Sequence, residues 1–90
     1  MAGYRLLIKP SAVKEIDAIG AKRDRQRIIA RIAELAGTPR PRGCEKLAGS
    51  EGRLRIRQGN YRVVCAVDDA GWVVEVVKVG HRREVYRKGA

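Results

Sequence analysis

The sequence predicts an α+β domain of order β-α-α-β-β-β, an antiparallel meander sheet with two N-terminal helices packed on one face. Three observations lead there. Apolar residues recur at helical spacing between residues 11 and 36, the period falls from 3.6 to 2 after residue 52, and three β-rich runs then follow with only turns between them. At 90 residues the chain is one domain, 1–90. Its core is thin and aliphatic, because Phe is absent and Val and Ile outnumber the aromatics.

"YRLLIK", residues 4–9, is a short strand stopped by Pro10. From Ser11, read as an N-cap, Ala12, Val13, Ile16 and Ile19 repeat at helical spacing and Gly20 offers a stop. A second helix beginning near Asp24 buries Ile28, Ile32, Leu35 and Ala36, keeps Arg25, Arg27 and Arg31 on its polar side, and ends at Gly37 and Pro39. Residues 37–52 form the only long irregular stretch, with Leu47 expected to anchor it to the core. The second strand is "RLRIR", followed by the turn "QGN" and the third strand "YRVVCAV"; "DDAG" then turns into the fourth, "WVVEVVKV".

Alternation along these strands sorts their side chains. Leu54 and Ile56 share one face and Arg53, Arg55 and Arg57 the other, while Tyr61, Val63, Cys65 and Val67 separate from Arg62, Val64 and Ala66. If the helices cover the Leu54 side, all four arginines emerge on the opposite face. Glu75 and Lys78 have opposite parity, so the fourth strand is ambiguous. An alternating basic strand is commonly just the wet face of an antiparallel sheet. Cross-strand like charges with no carboxylate between them are unfavourable, however, and call for an anion. The tail "HRREVYR" adds His81, Arg82, Arg83 and Tyr86 just after the last strand.

Lys and Arg total 20 against 10 acidic residues, a net charge of +10, and 14 of the 20 are Arg. Arg is favoured where planar, bidentate recognition of phosphate is needed. Nucleic acid is therefore the first candidate partner and an acidic protein the second. No apolar run approaches the ~20 residues that span a bilayer, and the N-terminus lacks a signal-like segment, so no membrane association and a cytoplasmic location are expected. Cys44 reads as a reduced loop thiol and Cys65 as a small core residue. Neither has a Cys or His at ligand spacing, and no metal or cofactor is expected. Carboxylate pairs, a Ser-His-Asp set and a phosphate-loop glycine pattern are missing as well.

The element order, the stretch "KLAGSEGRLRIRQGNYRVVCAV" and the ending "VVKVGHRREVYR" together resemble the RelE/ParE superfamily of bacterial toxin–antitoxin toxins, in particular its RelE-like branch. The resemblance covers nearly the whole chain. It implies a RelE-like microbial ribonuclease fold and a type II toxin that cuts messenger RNA in the ribosomal A site, inhibiting translation and arresting growth. It also implies a cognate antitoxin, acidic and partly disordered, whose helix would lie across the exposed sheet face or along the two helices.

Carried over by motif, the catalytic positions are Arg53, Arg55, Arg62, Arg82 and Tyr86, with Arg57, Lys78, His81 and Arg83 as RNA-binding residues. Arg53 and Arg55 stand where prototypical RelE toxins have lysines, which keeps the charge but excludes any role needing a neutral amine. Arg57, beside the turn, reads as the most simply solvated of the strand arginines.

The chemistry implied is metal-independent attack of a 2′-hydroxyl on the adjacent phosphorus. The arginines would stabilise charge at phosphorus, Tyr86 would act as general base with its phenolate favoured by nearby cations, and Arg82 would serve the leaving-group side. His81, with a more natural pKa for proton transfer, remains the alternative base. Tyr61 reads as core and Trp72 as cover for the sheet edge. Two other functions stay open: a ParE-like inhibitor of DNA gyrase without nuclease chemistry, and a purely RNA-binding relative.

Overall fold

Pro10 both ends the first strand and begins the first helix, since its fixed φ suits the first helical position, where a backbone N–H has no partner to lose. The computed structural model describes residues 3–47 and 52–81. In it β1 (Arg5–Ile8) leads through Lys9, the N-cap residue, into α1 (Pro10–Asp17). The expected cap at Ser11 is displaced by two residues. A short linker carries the chain into α2 (Lys22–Glu34), which begins two residues before the expected Asp24 and places that carboxylate in its first turn, where it complements the helix dipole. Arg25 donates from Nη1 to the Ile19 carbonyl at 2.8 Å, tying α2 to this linker.

The sheet runs in the order β1-β5-β4-β3-β2, with β2 at Glu45–Lys46, β3 at Arg53–Gln58, β4 at Tyr61–Asp68 and β5 at Val73–His81. The expected meander is present as β3-β4-β5, all antiparallel. Two features correct the wholly antiparallel expectation. β1 joins β5 in parallel, Arg5 opposite Val73 and Ile8 opposite Val76, so the sheet is mixed. The supposedly irregular stretch also contributes β2, antiparallel to β3, with Glu45 opposite Arg55. Local periodicity reveals neither, because a two-residue strand has no period and a strand's partner is not written in its own pattern.

Both helices lie over one face. Ala12, Ile16, Ile19, Ile28, Ile32 and Leu35 meet Leu54, Ile56, Val63, Cys65, Val67, Val74, Val76 and Val79 in a single aliphatic core. Each fully buried Val, Leu or Ile contributes about 1.5–3 kcal/mol relative to exposure. Val13, expected on the core side, is largely exposed, and Cys44 rather than Leu47 is the loop side chain packed against the core. Cys65 is fully buried, and burial, aided by the neighbouring Cys44, pushes its thiol up to about 11. Both cysteines are free.

The parity conflict on the last strand is resolved by a bulge. Val64 pairs with Lys78 and Cys65 with Val76, so Val77 is the extra residue. Val74, Val76 and Val79 can therefore all face the core, while Glu75 and Lys78 both start from the other face. The strand begins at Val73, not Trp72, because Trp72 takes a left-handed φ of 56° to close the "DDAG" turn. Its ring lies 5.2 Å from that of Tyr4 beside the edge strand. No helix among the described residues is long and apolar enough to cross a membrane.

Candidate functional site

The sheet face opposite the helices is organised by one tight turn. Gly59, at φ 60°, and Asn60 form a two-residue loop with glycine at its first position, the type II′ pattern whose twist matches the flanking strands. Gln58 then pairs with Tyr61, and the next pair out is Arg57 opposite Arg62. Reading the turn as three residues would set Arg57 against Tyr61 instead. With the shorter loop, two guanidinium stems start about 5 Å apart on one face, an unfavourable like-charge pair.

Arg62 is only 7% exposed, and its Nη1 donates to the Tyr61 carbonyl at 3.2 Å. Arg57 is exposed. Arg55 stands opposite Val64 on one side and opposite Glu45 on the other. Its Nε and Nη2 both donate to Glu45 Oε1, at 3.1 and 2.5 Å. Arg55, Arg57 and Arg62 together with Gly43 and Glu45 line a cavity of about 280 Å³. Gly43 sits at φ 88° in the turn that delivers β2, a conformation that disfavours any side chain.

The remaining predicted residues are placed differently. Arg53, opposite Ala66, shares the face but is exposed and does not line the cavity. The Lys78 ammonium pairs with Glu15 Oε2 of α1 at 3.0 Å, and Glu15 Oε1 accepts the Val79 N–H at 2.8 Å. This carboxylate satisfies β5 beyond the end of β1, and it ties Lys78 to the helix rather than to the arginines. His81 pairs with Tyr61, its ring edge-on to the phenol at 5.8 Å, one residue past the Gly80 that faces Arg62. Arg82, Arg83 and Tyr86 lie outside the described residues.

Sequence reasoning did not place Glu45 at this cavity, and it read Arg57, which also lines it, as an RNA-binding residue but the most simply solvated of the strand arginines. Counting pairs outward from a two-residue Gly59–Asn60 loop would have matched Arg57 with Arg62. Nothing local marks Glu45, whose position depends on the pairing of β2.

A second charged cluster sits at the other end of β4. Asp69 accepts from Arg40 Nη1 and Nη2 at 3.0 and 2.8 Å and from the Tyr4 hydroxyl at 2.6 Å. The Arg40 hydrogen bonds, followed by that of Tyr4, hold the Asp69 carboxyl below its ordinary value. The same contact with Asp69 raises the Tyr4 phenol above its ordinary range, and Asp69 also raises Arg40.

Fold and site define a class: a small, strongly basic α+β domain that gathers guanidinium groups around a cavity on the sheet face opposite its helices. The profile of a family described as the ParE toxin of a type II toxin–antitoxin system, parDE, matches residues 6–86. Among solved structures, the archaeal RelE–RelB complex of Pyrococcus horikoshii OT3 is similar at 28% identity and TM-score 0.77, covering 88% of this chain and 94% of that one. A mutant of the E. coli toxin RelE in the free state matches at 30% identity and TM-score 0.75, covering 94% and 92%. The intact E. coli RelBE toxin–antitoxin complex matches at 30% identity and TM-score 0.74, covering 87% and 95%. A search of curated proteins gave no match. The chain belongs to the RelE/ParE superfamily of type II toxin–antitoxin toxins.

Proposed function

We propose that this toxin is a ribosome-dependent endoribonuclease that cuts messenger RNA in the ribosomal A site. The observation that carries the reading is the cavity in which Arg55, Arg57 and Arg62 converge with, among the described residues, a single carboxylate. A phosphodiester seated there meets guanidinium donors that stabilise the charge growing at phosphorus, a contribution that often dominates catalysis. The 2′-oxygen attacks phosphorus as Tyr86 takes its proton. The bond to the 5′-oxygen breaks, Arg82 stabilises the charge on that oxygen while water supplies its proton, and the products are a 2′,3′-cyclic phosphate and a 5′-hydroxyl. His81 is the alternative base, and no metal enters. Arg53 extends the basic track along the strand and Arg83 adds charge for RNA, whereas Lys78, paired with Glu15, is withdrawn from that role.

Primer extension on a translated message compares the wild type with Arg62→Ala and Tyr86→Phe. Loss of the cut in both variants is expected, and cleavage unaltered by both changes refutes the assignment. The ParE profile favours a second reading, inhibition of DNA gyrase by binding alone. Inhibition of supercoiling by an Arg62→Ala/Tyr86→Phe double variant would decide for it. In either case the partner is an acidic, partly disordered antitoxin, a reading supported by the net charge of +10 and by structural neighbours that are RelE–RelB complexes.

A further inference from the structure

We propose that Glu45 is a built-in counter-ion of the arginine cavity, holding Arg55 in the free toxin and giving way to RNA phosphate. The inference rests on the reading of this cavity as a phosphate site. Among the described residues Glu45 is the one carboxylate that lines it, and Arg55 Nε and Nη2 both donate to a single oxygen of it, Oε1. The two partners are unequally held. The Arg55 side chain is 20% exposed and so largely seated, whereas that of Glu45 is 64% exposed and stands in solvent on a strand of two residues.

A pair whose carboxylate stands in solvent is weak enough to exchange. An RNA phosphate offers the same guanidinium two anionic oxygens, and Arg57 and Arg62 stand close enough to share them. The carboxylate would then be left beside the incoming anion, and it swings toward water. In the free protein Glu45 thus offsets part of the repulsion among three arginines, and it raises the threshold for any anion that engages Arg55 alone. A phosphate that meets the whole cluster clears that threshold.

The test measures binding of a 2′-O-methyl single-stranded RNA, which cannot be cut, by fluorescence anisotropy across a salt series. Glu45→Gln keeps size and removes the charge. Glu34→Gln, which removes the same charge from the Arg31 pair on α2, controls for net charge. Glu45→Gln is expected to tighten binding about three- to ten-fold at low salt, with a steeper salt slope, and Glu34→Gln less than about two-fold. Equal effects of the two changes overturn the counter-ion, and so does weaker binding by Glu45→Gln, which would make Glu45 a support for Arg55. Binding that ignores an Arg57→Ala/Arg62→Ala variant overturns the site itself. Binding that needs those arginines but ignores Glu45→Gln overturns only the counter-ion.

Discussion

The two ends of β4 carry the same ingredients in different proportions. At the β4–β5 turn, Asp69 meets one arginine and one phenol, and all three groups are matched. Some 20–25 Å away along the strand, at the β3–β4 turn, three arginines face one carboxylate among the described residues. The matched cluster ties the loop bearing Arg40 to β1 and to the turn, and that is a structural task. Among the described residues the arginine cluster holds more guanidinium groups than carboxylates, an excess set by strand register and suited to meeting an anion. Stoichiometry, not residue type, separates the clasp from the proposed phosphate site.

The strongest way to break this comparison is to strip the surplus. Arg57→Ala/Arg62→Ala is expected to lower cleavage of a translated message by about 10²–10³-fold, the scale seen when donors to a developing charge are removed. Arg40→Ala should leave the cut intact. A comparable loss from Arg40→Ala, measured in the same primer-extension assay, would erase the distinction.

Next in size is the turn that sets the register. Gly59→Ala meets no steric contact but must hold a left-handed φ, so it should cost about 1–2 kcal/mol in urea unfolding and weaken RNA binding through the Arg57–Arg62 pair. A stability equal to wild type would show that the turn tolerates alanine and that register is set elsewhere.

The matched end should instead show its role as pH-dependent stability. Asp69 has a folded pKa below its ordinary value, so its contribution is complete above that value and is lost as pH falls through the folded one. Asp69→Asn should therefore melt lower than wild type at neutral pH and converge with it in strong acid. A gap that persists there would mean the carboxylate's charge is not what stabilises.

Tyr4→Phe should have the smallest effect. The Tyr4 phenol is raised, so its contribution is present below the ordinary phenol pKa and disappears as pH rises through the raised one. Thermal unfolding of the two proteins should converge in strong alkali.

Much of this architecture is legible in the chain itself. Ile28, Ile32 and Leu35 announce a helix face, and Leu54, Ile56, Val63 and Cys65 announce a strand face, because burial imposes a period on each. What escapes is set by pairing. β1 gives no sign that it lies parallel to β5, and the Val77 bulge is visible only as the conflict between Glu75 and Lys78 that it removes. The site divides the same way. Arg55 and Arg62 stand out by alternation, whereas the weight of Arg57 depends on a loop of two residues instead of three, and that of Glu45 on a strand too short to have a pattern. Lys78 looks available along the strand but is tied to Glu15 of α1, sixty-three residues earlier.

RNA phosphate is proposed to be neutralised by the arginines of the cavity and not by Arg40 of the matched cluster. The most direct test of this is the slope of log K against log salt for single-stranded RNA. Each lost phosphate contact should reduce that slope by roughly 0.7. Arg57→Ala/Arg62→Ala is expected to flatten it by about 1.4, and Arg40→Ala to leave it as in the wild type. Equal flattening by both variants would contradict the account.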